Sequence, residues 1–368
     1  GKDMTAALES RVREQLMAVV LPGLVSPLAE LADIVSLLVS GDRVDVVFEL
    51  GFPAKSAQQQ YEAAIAESLK SIAGVDAVTA RVTWKILPYA AQQNIKSMEN
   101  VRNIIAVASG KGGVGKSTTS VSLALALAAE GARVGLLDAD IYGPSVQMML
   151  GIPEGQRPKQ YGTHYLLPIE AYGVQSMSMG YLVTADTPMV WRGPMATGAL
   201  QQLLNQTYWQ DLDYLIIDMP PGTGDIQLTL SQKVPVSGAV VVTTPQDIAL
   251  LDAKKGIEMF RKVSVPVLGI IENMAVHICS QCGHHEHVFG QGGGERMAQT
   301  YDVPMLGSLP LSMQIREQAD CGKPVLAAHP DSDAAMLYRQ VAISMTAELA
   351  KRQRVQSNAF PNISISDD

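Results

Sequence analysis

The chain has 368 residues, of which 47% are hydrophobic and 17% charged, and 28 basic residues stand against 36 acidic ones for a formal net charge of −8. That length and apolar content suit about two folded domains and exclude a disordered chain, while the acidic balance speaks against a dedicated nucleic-acid binder, whose phosphate contacts need clustered Lys and Arg. Apolar runs such as Val121–Ala129 fall short of the roughly 20 residues of a bilayer-crossing helix and the opening residues show no secretion-signal pattern, so a cytoplasmic protein with neither membrane nor nucleic-acid partners is expected.

Leu8, Val12, Leu16, Val19 and Val20 recur at helical spacing until Pro22 and Gly23 stop them. Ile34–Val39 and Val44–Leu50 read as strands around a Ser40-Gly41-Asp42 turn. Residues 56–72 place Tyr61, Ile65 and Leu69 on one helical stripe, and Val78, Ala80, Val82 and Trp84 alternate as a strand. Residues 1–87 therefore read as a small α-β-β-α-β domain. Residues 88–103 have little apolar periodicity and read as a linker.

From 104 onward the pattern changes class. Short β-branched runs at Ile104–Ala108, Val134–Leu137, Tyr214–Ile217, Ala239–Thr243 and Val267–Ile271 alternate with helical stretches. That alternation predicts an α/β domain over 104–351, built on a mostly parallel, helix-covered sheet. Its last helix spans about Ala334–Lys351, and residues 352–368 read as a flexible tail.

Between the first such strand and the helix Ser117–Ala129 lies Gly110-Lys111-Gly112-Gly113-Val114-Gly115-Lys116-Ser117. This is the phosphate-cradling loop G-x-x-x-x-G-K-[ST], in its proper strand–loop–helix context. Glycines let the backbone wrap phosphate, and the following helix N-terminus adds partial positive charge. Lys116 is placed for the β- and γ-phosphates of ATP, Ser117 for Mg²⁺, and Thr118 for the α-phosphate. Asp138 ends the second strand and Asp140 follows two residues later, and Tyr214–Asp218 is an apolar strand ending in an acid that would hold the magnesium shell. Pro220–Asp225 is the loop where a γ-phosphate would be sensed.

Cys279 and Cys282 form a C-x-x-C after the fifth strand. Two thiolates supply half of the four ligands that tetrahedral zinc or a [4Fe–4S] cluster usually takes. A two-fold homodimer would bring two such pairs together. His277, His284, His285 and His287 crowd the same stretch, so zinc held by both cysteines and two histidines of one chain is a second solution, and a redox dithiol a third. Cys321 is expected to be a plain buried or half-buried residue. Met177, Met179, Met189 and Met195 are expected to fill core gaps rather than bind a cofactor.

The segments ASGKGGVGKST, LLDADIYGPS, MVWRGPM, DYLIIDMPPGTGD, VVVTTPQDIAL and ENMAVHICSQCG, in that order, resemble the MinD/ParA/nitrogenase-iron-protein class of P-loop ATPases. Within it they resemble most the Mrp (ApbC) iron–sulfur cluster carriers. Lys111, an extra lysine early in the loop, is the mark of the class's deviant phosphate motif. The resemblance implies that Lys111 reaches across a dimer to the partner's nucleotide, as an arginine finger does. It implies that Asp140 orients the attacking water, that Asp138 stands behind the magnesium's water ligands, and that Asn273 and Pro310 lie on the adenine side. It implies a labile [4Fe–4S] cluster bridging two protomers through Cys279 and Cys282. A slow ATPase would then drive its transfer from an assembly scaffold to apo iron–sulfur proteins.

The first domain resembles the small iron–sulfur assembly domain, but that family's usual cysteine is Lys55 here, in Gly51-Phe52-Pro53-Ala54-Lys55. An interaction role is therefore expected of it. Two other readings are a zinc-stapled dimeric scaffold ATPase and a MinD/ParA-like positioning ATPase. The acidic, polar stretch 353–368 lacks the basic amphipathic stripe that a membrane version of the latter needs. What the Trp191-Arg192-Gly193-Pro194 stretch contacts is not given by its chemistry.

Overall fold

The computed structural model describes residues 1–89, 98–141, 146–182, 193–288 and 293–359. Half of the expected linker (residues 90–97), Tyr142-Gly143-Pro144, Met189, Trp191, Arg192 and the last nine residues lie outside that set. Among the described residues no helix is long and apolar enough to cross a membrane.

Two compact units divide the chain: Gly1–Leu87 together with the segment from Thr346 onward, and Pro88–Met345. In the first, α1 (Lys2–Ala18) buries Leu8, Val12 and Leu16. β1 (Ala32–Ser40) and β2 (Arg43–Leu50) form an antiparallel hairpin, and Gly41 takes the left-handed conformation its turn requires, with φ of 62°. α2 (Gln58–Lys70) crosses over to β3 (Ala77–Trp84), which runs parallel to β2. Val44, Val46, Phe48 and Leu50 alternate onto one buried face of the sheet, and Tyr61, Ile65 and Leu69 form the buried stripe of α2. Each such fully buried side chain stabilises the unit by roughly 1.5–3 kcal/mol.

The second unit begins with β4 (Val101–Ala108), three residues earlier than the sequence suggests, followed by α3 (Lys116–Ala129) and β5 (Val134–Asp138). Next come α4 (Val146–Met149), a small hairpin of β6 (Gln160–Tyr161) and β7 (Tyr165–Leu166), then β8 (Ile169–Ala171) and β9 (Val174–Ser178). α5 (Gly193–Gln206), β10 (Leu212–Asp218), α6 (Asp225–Lys233), β11 (Gly238–Thr243), α7 (Asp247–Lys262) and β12 (Val267–Ile278) continue the alternation. β13 (His285–His287), α8 (Gly293–Tyr301), β14 (Met305–Pro310), α9 (Met313–Asp320), α10 (Val325–Ala328) and α11 (Asp333–Ala359) complete it.

The large sheet has the order β13-β12-β11-β4-β10-β5-β9-β8, with β14 also paired to β12. Its pairings are parallel except at β8 and β13. β4, β5, β10 and β11 are buried almost throughout, so they read as unbroken apolar runs rather than alternating ones. β4 lies centrally, and the chain departs from it to β5 on one side and later to β11 on the other. Ligands of open α/β sheets bind at the carboxyl ends of strands near such a reversal.

Two further boundaries differ from the sequence reading. β12 runs to Ile278 rather than ending at Ile271, because buried Glu272 and Asn273 interrupt the apolar run without interrupting the strand. α11 runs to Ala359, past the expected start of the tail, since no Gly or Pro intervenes between Lys351 and Pro361. In the first unit its later turns pair Arg354 with Asp33 at 2.8 Å, and Gln353 donates to the Leu87 carbonyl at 3.1 Å.

Candidate functional site

Strand register assembles the acidic cluster. Val107 of β4 lies opposite Asp218 of β10, Asp218 opposite Asp138 of β5, and Asp138 opposite Ser178 of β9. The carboxyl ends of neighbouring strands thus bring two acids side by side beneath the loop that leaves β4. Asp140 follows two residues on, and its backbone N–H donates to Asp138 Oδ1 at 3.1 Å.

α3 brings the cationic and hydroxyl partners. Lys116 Nζ lies 2.6 Å from Asp218 Oδ1 and 3.1 Å from Asp140 Oδ2. Ser117 Oγ donates to Asp218 Oδ2 at 2.6 Å, and Ser120 Oγ donates to Asp218 Oδ1 at 2.8 Å. All five side chains are buried, Asp218 and Ser120 completely. Burial disfavours the Lys116 charge, but Asp218 and then Asp140 outweigh it and hold the ammonium above the ordinary lysine range. Asp138 is raised as well, which for a carboxyl disfavours the charged form. Burial first, then repulsion from Asp218, pushes it up to about 8, against the opposing hydrogen bonds from Ser178 and the Asp140 N–H.

Around this cluster the loop backbone is tightly fixed. Gly110 packs so closely on α7 that a Cβ there would lie 2.0 Å from the Asp252 carbonyl oxygen. Gly115 is left-handed, with φ of 75°. The Gly222 N–H donates to the Ser109 carbonyl at 2.9 Å, tying the Pro220–Asp225 loop to the phosphate loop. Gly112 and Gly113 are exposed, Val114 is buried, and Thr118 is half-buried. Lys111 is half-exposed and has no ion pair among the described residues.

Ser117 Oγ and the carboxylates of Asp218 and Asp140 are hard oxygens of the kind magnesium takes, and Lys116 Nζ lies among them. Ser120, on Asp218, and Ser178, on Asp138, complete the cluster. Ser120 follows Ser117 by one helical turn, a signal present in the sequence. Ser178 needs the β5–β9 register, which the sequence does not carry.

Asn273 does not end its strand as the sequence suggests, and Pro310 belongs to a strand rather than a loop. Asn273 is a buried residue inside β12, and its Nδ2 donates to the Val114 carbonyl at 2.8 Å. Pro310 is the buried last residue of β14, opposite Val276.

Cys279 directly follows β12 and opens a tight turn into β13. Its N–H donates to the His284 carbonyl at 2.9 Å, and its carbonyl accepts from Gly283 N–H at 2.9 Å. Gly283 has φ of 73°, allowing the chain to reverse immediately after Cys282. N–H groups of Cys282 and Gln281 point at the Cys279 sulfur and lower its pKa below the ordinary thiol range. Cys279 is half-exposed and Cys282 exposed.

Among the described residues no three His, Cys, Asp or Glu side chains gather as a metal-holding group. The four nearby histidines therefore do not close around the pair in this conformation, and His285 instead faces Asp333 at 3.9 Å.

Cys321 is exposed, not buried, because it ends α9 at the surface. Met177 is fully buried as expected of a gap-filler, whereas Met195 is 69% exposed. A groove of about 720 Å³ near Tyr165, Tyr208 and Lys233 includes none of the phosphate-loop, acidic or cysteine residues.

Comparison with known proteins places these features in context. Residues 100–346 match the family described as NUBPL iron-transfer P-loop NTPase, and residues 9–82 match that described as iron-sulfur cluster assembly protein. The chain is 63% identical over 277 residues to a Pseudomonas fragi protein named iron-sulfur cluster carrier protein, covering 75% of this chain and 96% of that one. It is 54% identical over 308 residues to an Escherichia coli K12 protein of the same name, covering 84% and 83%. Among solved structures, a nucleotide-binding protein from Archaeoglobus fulgidus in complex with ADP, with Co, is 34% identical at a TM-score of 0.55. That match covers 64% of this chain and 91% of the other.

Proposed function

Because the chain belongs to the NUBPL iron-transfer P-loop NTPase family, we propose that it is an ATP-hydrolysing iron–sulfur cluster carrier. It would hold a [4Fe–4S] cluster as cargo between two copies of itself and pass it to apo-proteins. The observation that carries this reading is the cysteine turn: two thiols, one exposed and one half-exposed, with no third ligand gathered beside them among the described residues. Such a pair is half of a Cys₄ set, and a two-fold partner supplies the other half. Cargo held by exposed thiolates at a subunit junction is accessible to an incoming acceptor.

At the phosphate site, the backbone of residues 110–115 and the α3 N-terminus bind the ATP phosphates. Lys116 turns from its acidic partners toward the β- and γ-phosphates, and Thr118 lies by the α-phosphate. Ser117 and Asp218 would hold magnesium, with Asp138 behind its waters; the ion supplies charge neutralisation at the phosphate oxygens. Asp140 orients the attacking water. Lys111, half-exposed and without an ion-pair partner among the described residues, is free to reach the nucleotide of a second copy. Hydrolysis on this reading is slow, because its output is a change of protomer packing rather than turnover of a metabolite. Recipients are apo iron–sulfur proteins, and the cytoplasm is the compartment in which such thiols stay reduced.

The test is iron, acid-labile sulfide and zinc per chain after anaerobic reconstitution, for wild type and Cys282→Ala. Roughly two irons and two sulfides per chain, lost in the variant, are expected for one cluster shared by two subunits. Zinc in place of iron would replace the carrier with a zinc-braced scaffold ATPase.

A further inference from the structure

β12 is two strands joined end to end. Through Glu272 it lies in the parallel sheet, opposite Thr243 of β11 on one side and Ser308 of β14 on the other. From Val276 to Ile278 it pairs antiparallel with β13, in the hairpin that carries the cysteines. Between the two parts the register slips: the step from Glu272 to Val276 on β12 matches only Ser308 to Pro310 on β14. Two additional residues are therefore accommodated as a bulge. Met274, within it, is left-handed with φ of 56°, a conformation long side chains seldom adopt. Strained backbone of this kind persists only where surrounding contacts hold it.

The contacts that hold it come from the phosphate loop. Asn273, buried at the start of the bulge, donates through Nδ2 to the Val114 carbonyl at 2.8 Å. Gly115 leaves no room between them: a Cβ at that position would lie 2.2 Å from Asn273 Nδ2 and 3.2 Å from Met274 Cε. Cys279 comes six residues after Asn273, directly beyond the end of β12, at most about 20 Å away at the rise of an extended chain. The Pro220–Asp225 loop also touches the phosphate loop, through Gly222, but it continues into α6 rather than into the cysteine hairpin. β12 is continuous with it.

We propose that Asn273 and the bulge at Met274 couple the two sites mechanically. Phosphate binding reorders the backbone at Val114–Gly115, the Val114 carbonyl moves, and Asn273 passes that movement through the bulge to the turn bearing Cys279 and Cys282. Asn273 is thus a positioning residue for the cysteine turn. The inference rests on the carrier reading only for the identity of the cargo; the coupling itself is a property of the bare thiols.

Its test is the alkylation rate of Cys282 by iodoacetamide under anaerobic, reducing conditions, read by mass spectrometry with and without saturating Mg-ADP. Cys321, also exposed in the same chain, serves as the internal reference. Saturation is checked on every variant by equilibrium binding of a fluorescent ADP. In wild type the Cys282-to-Cys321 ratio is expected to change about fivefold on nucleotide binding, the lower range of coupling between sites.

Asn273→Asp keeps the shape and replaces the donor by an oxygen facing the Val114 carbonyl. Met274→Gly keeps Asn273 and relaxes the bulge. With ADP bound, each is expected to cut the change to below about twofold. No nucleotide-dependent change in wild type, or a full change retained in the nucleotide-bound variants, overturns the proposal. Should Asn273→Asp fail to saturate with ADP, Met274→Gly decides alone. A wild-type chain that shows the ADP-dependent ratio yet loads no iron would sink the cargo reading and leave this one standing.

Discussion

The phosphate site and the cysteine turn are built on opposite principles. Around Asp218, three donors from consecutive turns of α3 converge on one fully buried carboxylate, and the strand register aligns its neighbours. Around Cys279 and Cys282, two backbone hydrogen bonds shape a surface turn and the thiols face outward. Buried polar networks are rigid when fully satisfied and unforgiving when one member is lost. Exposed ligands make few contacts with the fold, so they can lose a bound group without unfolding anything. The contrast separates a part that must register its occupant by geometry from a part that must give its occupant away.

Substitutions can break this contrast. Lys116→Ala leaves Asp218 and Asp140 without their buried cation, and thermal or urea unfolding of the nucleotide-free protein is expected to show a loss of about 3–5 kcal/mol. Equilibrium titration should find nucleotide affinity lost with it. Ser120→Ala removes one of the three donors to Asp218, and urea unfolding should report a loss of roughly 1.5–3 kcal/mol, the range for a hydrogen bond to a charged group. Cys282→Ala is expected to change stability by less than about 0.5 kcal/mol, as exposed positions do, while reconstituted iron disappears. Lys111→Ala should leave unfolding unchanged, since its ammonium has no ion pair among the described residues. Steady-state phosphate release should nonetheless fall about a thousandfold if the residue acts as a finger in trans. A Cys282→Ala protein as unstable as Lys116→Ala would erase the distinction.

How much of this was legible in the sequence follows from where each feature keeps its information. The phosphate loop is contiguous, so Gly110–Ser117 announces itself, and an apolar strand ending in Asp218 marks the acidic partner. The β-α alternation likewise foretells a parallel, helix-covered sheet. Ser178 was invisible because its role depends on which strand lies beside β5. The length of β12 was misread for a different reason. Glu272 and Asn273 look like the polar end of a strand, whereas they are buried polar residues in its interior, one of them serving the phosphate loop. Functional positions violate the hydrophobic pattern that locates the elements carrying them, so pattern reading fails most where the site is. The cysteine turn was legible as a two-ligand motif. That the neighbouring histidines do not gather around it was not, since their sequence spacing permits either arrangement.

The partition of the first unit has a consequence for how the chain is made. Its compact body joins residues 1–87 to the later turns of α11, where Ala350 packs against Gly51, and Lys351 and Arg354 reach Glu30 and Asp33. On a ribosome the two pieces are separated by the whole of Pro88–Met345, on the order of half a minute of synthesis at about 10 residues per second. The N-terminal segment therefore emerges first and waits for its remaining partner. During that interval the surface that α11 will cover is open to chaperones, and a fragment cloned as residues 1–87 alone would keep that surface open permanently.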